Sequence, residues 1–201
     1  SKSSHQKVKF FRARAFVKIQ DGCNFKCSFC IIPTVRGKSK SKPLSLVQEE
    51  IRKHTALGFK EIVLCGIHLC SYGLDLEPRS SLLELLKQLE NIKGLNMIRL
   101  SSLDPRFLDF SFISYLTSSL QIAPHFHLSF QSGSKEILKK MLRSSTPDQY
   151  LEILHHFSQS SPESSLGTDI IVGFPGETDK EFTETYEFLA KSPLTYFHVF
   201  P

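Results

Sequence analysis

Lys18-Ile19-Gln20-Asp21-Gly22-Cys23-Asn24-Phe25-Lys26-Cys27-Ser28-Phe29-Cys30 runs from an alternating apolar and polar stretch into three cysteines spaced C-x3-C-x2-C. Residues 15–20 carry the period of two of a half-buried strand, so the cysteines sit on the loop leaving its C-terminal end. Structural zinc wants four protein ligands, and no His or Cys follows at finger or ribbon spacing. A thioredoxin-type redox pair uses only C-x-x-C and leaves Cys23 unexplained. Soft thiolates packed this closely suit an iron-sulfur cluster. Three of them hold three irons of a 4Fe-4S cube and leave the fourth open to a substrate or cofactor.

Outward from this loop, apolar β-branched runs alternate with helical periodicity. Strands are predicted over 15–20, 61–65, 96–101, 125–131, 166–172 and 195–200. Helices are predicted over 45–57, 81–91, 107–120, 135–143, 147–158 and 178–191, with a long loop after the cysteines. This order of βα units argues for a parallel sheet with helical crossovers. Several strands are polar on one face only: His125, His127, Ser129 and Gln131 alternate with Phe126, Leu128 and Phe130, and Lys18 with Gln20 and Arg99 with Ser101 repeat the pattern. A closed eight-stranded barrel is packed with branched apolar residues, so a polar inner face predicts a wider or incomplete barrel around a charged ligand. His125 and His127 read as lumen histidines with satisfied hydrogen bonds rather than metal ligands.

The chain of 201 residues is 40% hydrophobic and 22% charged, enough to bury one core and inconsistent with disorder or a fibrous fold. No run of about 18 apolar residues exists to span a bilayer, and residues 1–9 are polar with no secretory pattern, so a cytoplasmic, reducing location is expected. The net charge of +5 is uneven: residues 1–60 hold 14 Lys and Arg against three acids, and the rest hold 11 against 17. A basic first third without a basic amphipathic helix points to nucleic acid before membrane.

The cysteine loop resembles that of the radical S-adenosylmethionine superfamily, in which C-x3-C-x-aromatic-C follows the first strand of a partial (β/α)6 TIM-like barrel. Further stretches are similar to its methylthiotransferase family: Lys18 to Cys23, Cys30-Ile31-Ile32-Pro33 with Arg36-Gly37, Leu64-Cys65-Gly66-Ile67 with Tyr72-Gly73, Gln131-Ser132-Gly133-Ser134, and Asp169 to Thr178. The resemblance covers residues 14–201, and the combination is specific where each piece alone is weak. It implies that Cys23, Cys27 and Cys30 ligate one 4Fe-4S cluster. The open iron takes S-adenosylmethionine, which is cleaved by one electron to a 5′-deoxyadenosyl radical. The family inserts sulfur and then methyl at an unactivated C–H bond. Arg36-Gly37-Lys38-Ser39-Lys40 and Gly66-Ile67-His68 look most like the branch acting on threonylcarbamoyladenosine beside the tRNA anticodon. The isopentenyladenosine and ribosomal-protein branches, or another radical reaction such as C-methylation, are the alternatives.

The same resemblance implies cofactor contacts from Phe29 through its backbone, Gly66 beside methionine, Ser102 and Asp104 at the ribose, and Gln131 and Ser132 at the barrel mouth. Arg143 would meet the methionine carboxylate, and Asp169, on the inward face of the fifth strand, would contact the cofactor. Arg36, Lys38, Lys40 and Lys42 would meet tRNA phosphates. A cellular one-electron reductant is implied as partner. Residues 1–13 read as a linker from an N-terminal domain holding an auxiliary cluster. Residues 14–201 read as a core truncated after its sixth strand.

Overall fold

In the computed structural model, which describes residues 13–201, strand β1 (Arg14–Asp21) buries Ala15, Val17 and Ile19 on one face and exposes Arg14, Phe16 and Lys18 on the other. This is the period of two expected from its sequence. The linker expected over 1–13 lies outside the described residues except for its last position. The chain continues through α1 (Ile32–Arg36), β2 (Lys40–Ser41), α2 (Leu44–Ala56), β3 (Glu61–Gly66), α3 (Leu82–Leu89), β4 (Met97–Leu100) and α4 (Phe110–Ser118). There follow β5 (His125–Gln131), α5 (Lys135–Lys140), α6 (Pro147–Ser160), β6 (Ser165–Ile171), α7 (Asp179–Lys191) and β7 (Tyr196–Phe200).

All pairings between the long strands are parallel, in the orders β2-β1-β3-β4 and β5-β6-β7. The two sheets are stitched by the bridges Ile98 to Ile122 and Leu103 to Leu128, where Leu103 N–H donates to His127 O at 2.8 Å and Leu103 O accepts from Ser129 N–H at 2.9 Å. Together they make a curled half-barrel, the incomplete barrel expected from the polar inner face, with only isolated bridges between β4 and β5. Two short elements arise inside the stretch expected as loop. Pro33 starts the single helical turn α1, and β2 pairs antiparallel with the end of β1.

The outer face of the half-barrel carries the core. Val47 and Ile51 of α2, Leu85, Leu86 and Leu89 of α3, Ile113 and Leu116 of α4, and Leu154 and Phe157 of α6 are buried against Val17, Leu64, Ile98 and Phe126 of the strands. Helix ends are capped as their sequences direct. Thr146 and Gln149 form a capping box around Pro147, and the Ser81 and Asp109 side chains accept the N–H of Glu84 and Phe112. The inner face is left polar, and the strand ends present the loops that build the site. Among the described residues no helix is long and apolar enough to cross a membrane.

Candidate functional site

The cysteine loop leaves β1 through Gly22, whose φ of +69° lies in the left-handed region and whose added Cβ would stand 2.1 Å from the Lys38 carbonyl oxygen. Gln20, 1% exposed, clamps the turn: its Nε2 donates to Gly22 O at 2.7 Å and to Ser39 Oγ at 2.9 Å, while its Oε1 accepts the His68 N–H at 2.8 Å. Cys23 N–H donates to Gly37 O at 3.1 Å and Ser39 N–H to Asn24 Oδ1 at 3.0 Å. On the far side, Ser28 N–H and Oγ donate to Met141 O and Lys140 O at 3.2 and 2.8 Å. The loop is thus held at both ends by backbone acceptors from distant elements. Gly22→Ala, with both an unfavourable φ and a backbone collision, is expected to cost about 1–3 kcal/mol. A urea unfolding midpoint within error of the parent would contradict this close approach.

Cys23, Cys27 and Cys30, none of them in a disulfide, line one cavity of ≈ 150 Å³ at the C-terminal ends of the strands. Its walls bring in Phe29 from the same loop, Ser102 and Asp104 from beyond β4, Gln131 from the end of β5 and Arg143 from beyond α5. Gln131 holds a φ of 77°, an uncommon conformation outside glycine that concentrates at functional sites. Sequence reading missed His68 and Arg106, which complete the wall. Their signal was positional: His68 follows Gly66-Ile67 at a strand end, and Arg106 follows the Asp104-Pro105 turn.

Asp104 organises this wall. His68 Nε2 lies 3.0 Å from its Oδ2, Arg106 donates from Nε and Nη2 at 2.9 and 2.5 Å, and Arg143 Nη2 lies 3.5 Å from Oδ1. Burial alone would raise the Asp104 carboxyl. The hydrogen bonds from His68 and Arg106 and the charges of Arg143 and Arg106 outweigh it and hold the group well below the usual carboxylate range. Arg106 also lies over the Phe25 ring, 4.0 Å from its centroid, and Phe25 packs at 4.8 Å on His68. Arg143 donates Nη2 to Ser129 O at 2.6 Å and keeps a buried Nε with no partner among the described residues. A guanidinium in the cavity wall suits an anionic ligand group.

The donor set fits a multi-iron cluster better than one ion. Among the described residues, the three His, Cys, Asp or Glu ligand atoms that gather within 4.8 Å of one another are those of His127, Asp169 and His198. The cysteine cavity offers three thiols and no fourth, one short of a structural zinc set. Burial pushes the Cys23 thiol up. Cys65 and Cys70 take no part in this cavity. Cys70 is buried, accepts the Asp104 N–H at 3.3 Å, and its thiol is pushed up to about 12 by burial.

The other candidates are placed elsewhere. Gly66 ends β3 beside the cavity, where a Cβ would press on Gln20 Oε1 at 3.0 Å. Ser132 is fully buried, its Oγ 3.2 Å from Thr185 Oγ1 of α7, and it faces away from the cavity lining. Asp169 is not in that lining and meets His127 and His198 instead. Arg36, Lys38 and Lys40 are exposed on the segment tied to the cysteine loop, while Lys42 is held by Glu50 at 2.5 Å.

Residues 17–189 match the model of the Radical SAM superfamily. Over 192 residues the chain is 44% identical to the threonylcarbamoyladenosine tRNA methylthiotransferase MtaB of Aquifex aeolicus, covering 96% of this chain and 46% of that protein. It is 41% identical over 174 residues to the tRNA-2-methylthio-N(6)-dimethylallyladenosine synthase of Pelotomaculum thermopropionicum, covering 87% and 39%. The chain thus spans about half the length of these relatives, or less. Among solved structures, the radical S-adenosylmethionine methyltransferase TsrM of Kitasatospora setae superposes with a TM-score of 0.74 at 16% identity, over 92% of this chain and 35% of that one. Methylornithine synthase superposes at 0.63 with 16% identity, over 93% and 52%.

Proposed function

Because the chain belongs to the Radical SAM superfamily, we propose that it is the radical core of a tRNA methylthiotransferase, working on threonylcarbamoyladenosine next to the anticodon. The observation that carries the reading is the single cavity joining three thiols to Asp104, Gln131 and Arg143. Likeness to relatives named for two different adenosine derivatives supports the tRNA reading, and the match to the MtaB-type relative covers more of the chain. A 4Fe-4S cluster with S-adenosylmethionine, bound here, supplies one-electron cleavage of a sulfonium and hydrogen abstraction from an unactivated carbon.

The chain's own residues do the positioning. Cys23, Cys27 and Cys30 would hold the cluster, with the Gln20 clamp fixing where their loop leaves the sheet. Arg143, neutralised only in part by Asp104, would face a carboxylate of the ligand. Gln131 and Ser102 would supply neutral polar contacts, and Phe29, Phe25 and Ile67 would exclude water from the cavity. The reaction would draw on a one-electron reductant and take place in the cytoplasm. Liquid chromatography and mass spectrometry of tRNA nucleosides, from cells with and without the intact gene, test the substrate. Loss of the 2-methylthio form of threonylcarbamoyladenosine is expected. Loss of the dimethylallyl counterpart instead would move the chain to the other branch.

Arg36, Lys38 and Lys40 are proposed to meet the tRNA backbone, with Lys42, paired with Glu50, beside them. Replacing all three with alanine is expected to weaken tRNA binding. It should also flatten the slope of log K against log salt by about 0.7–0.9 for each phosphate contact removed. An unchanged slope in filter-binding titrations would sink the assignment.

A further inference from the structure

A second constellation of ligating side chains lies on the polar inner face, away from the cysteine cavity. His127 Nε2 of β5 stands 3.1 Å from Asp169 Oδ2 of β6, and His198 Nδ1 of β7 stands 3.1 Å from Asp169 Oδ1. The parallel register makes this meeting: Asp169 is paired directly with His198, and His127 with Gly167 two residues before it. The imidazoles stack at 5.4 Å with 26° between their planes, so both turn a nitrogen toward one carboxylate. Among the described residues no Lys or Arg bridges Asp169, whose ion-pair partners are these two histidines.

We propose that His127, Asp169 and His198 bind one divalent transition-metal ion of the zinc class. A tetrahedral ion with bonds of about 2.0–2.2 Å sets neighbouring ligand atoms about 3.3 Å apart, within a few tenths of the two contacts observed. Two imidazoles and a carboxylate are the donor set such ions take. The outer support is also built. Tyr196 OH lies 3.1 Å from His127 Nδ1 and 3.0 Å from His125 Nε2, so it can accept the Nδ1–H and leave the Nε2 lone pair of His127 facing Asp169. In that tautomer the His127 lone pair and the Asp169 carboxylate face each other as two acceptors, an arrangement that a cation between them satisfies. Gly167 makes room for this phenol, since a Cβ there would fall 2.0 Å from Tyr196 Cζ. His198 is more than half exposed, so the fourth position opens to water or to a lone-pair donor of a substrate, as in catalytic rather than structural zinc sites.

The test loads zinc into protein whose thiols are occupied by the cluster and, separately, into the Cys23→Ser/Cys27→Ser/Cys30→Ser variant. Zinc counting after dialysis and zinc-edge X-ray absorption are the readouts. About one zinc per chain is expected in both, with a shell of nitrogen and oxygen at about 2.0–2.1 Å and no sulfur at about 2.3 Å. His198→Ala, at an exposed position, and Asp169→Asn should each weaken zinc binding by at least about tenfold in isothermal titration. A sulfur shell, no zinc retained, or affinity unchanged in both variants would overturn the site and leave a metal-free hydrogen-bonded network. None of these outcomes bears on the cysteine loop, so the proposed tRNA chemistry stands or falls separately.

Discussion

Serine at position 23, 27 or 30 is expected to lower 5′-deoxyadenosine release by at least about a thousandfold, the scale set by loss of a group the reaction runs through. Each thiol would hold one iron, and a hydroxyl is a harder, far less acidic donor that does not replace a soft thiolate. The effect should be equal at the three positions, because all three line the same cavity and no fourth cysteine lines it. Cys65→Ser, outside that lining, should retain iron and activity. The checks are iron and sulfide content, the visible absorbance of the reconstituted protein, and chromatography of the nucleoside released from S-adenosylmethionine. Retention of iron and turnover by any of the three variants would refute the assignment of the loop.

Asp104→Ala should produce the largest loss of stability of any single substitution in the cavity wall. The carboxylate is the shared partner of His68, Arg106 and Arg143, and the side chains of Arg106 and Arg143 are only 13% and 4% exposed. Removing it leaves two buried guanidinium groups facing each other, a change that costs about 3–5 kcal/mol. For a domain of this size that lowers the melting temperature by about 6–20 °C. The sign of the pH dependence follows from the depressed carboxyl. Its contribution is complete above the unfolded value of about 3.9 and fades as pH falls toward the folded one. The gap between Asp104→Ala and parent is therefore widest near neutrality and shrinks below about pH 4. A melt within 1 °C of the parent at pH 7, or a gap that grows with acid, would contradict the network.

Much of the architecture could be read from residue order because its signals are local. A strand such as His125–Gln131 advertises itself by alternation, and α6 by its Thr146-Pro147 start and apolar spacing. The cysteines are covalent near-neighbours, so their grouping needs no folding to be seen. The split of the ladder after β4 was not readable, because it depends on how Leu103 bridges to β5 rather than on any local pattern. Ser132 shows the same limit. It follows Gln131 in one motif, yet the left-handed backbone at Gln131 sends it under α7 and away from the cavity.

Sequence alone determined the order of the long strands and helices, the polar inner face and the thiol triad, since each rests on interactions within a few residues along the chain. Tertiary structure decided which polar side chains share a space. His68, Asp104, Arg106 and Arg143 meet only because β3, β4 and α5 end on one side of the half-barrel, and Asp169 meets His127 and His198 only through the parallel register of β5, β6 and β7. Register and crossover geometry are set by burying the outer apolar face as a whole, and no single segment carries that information.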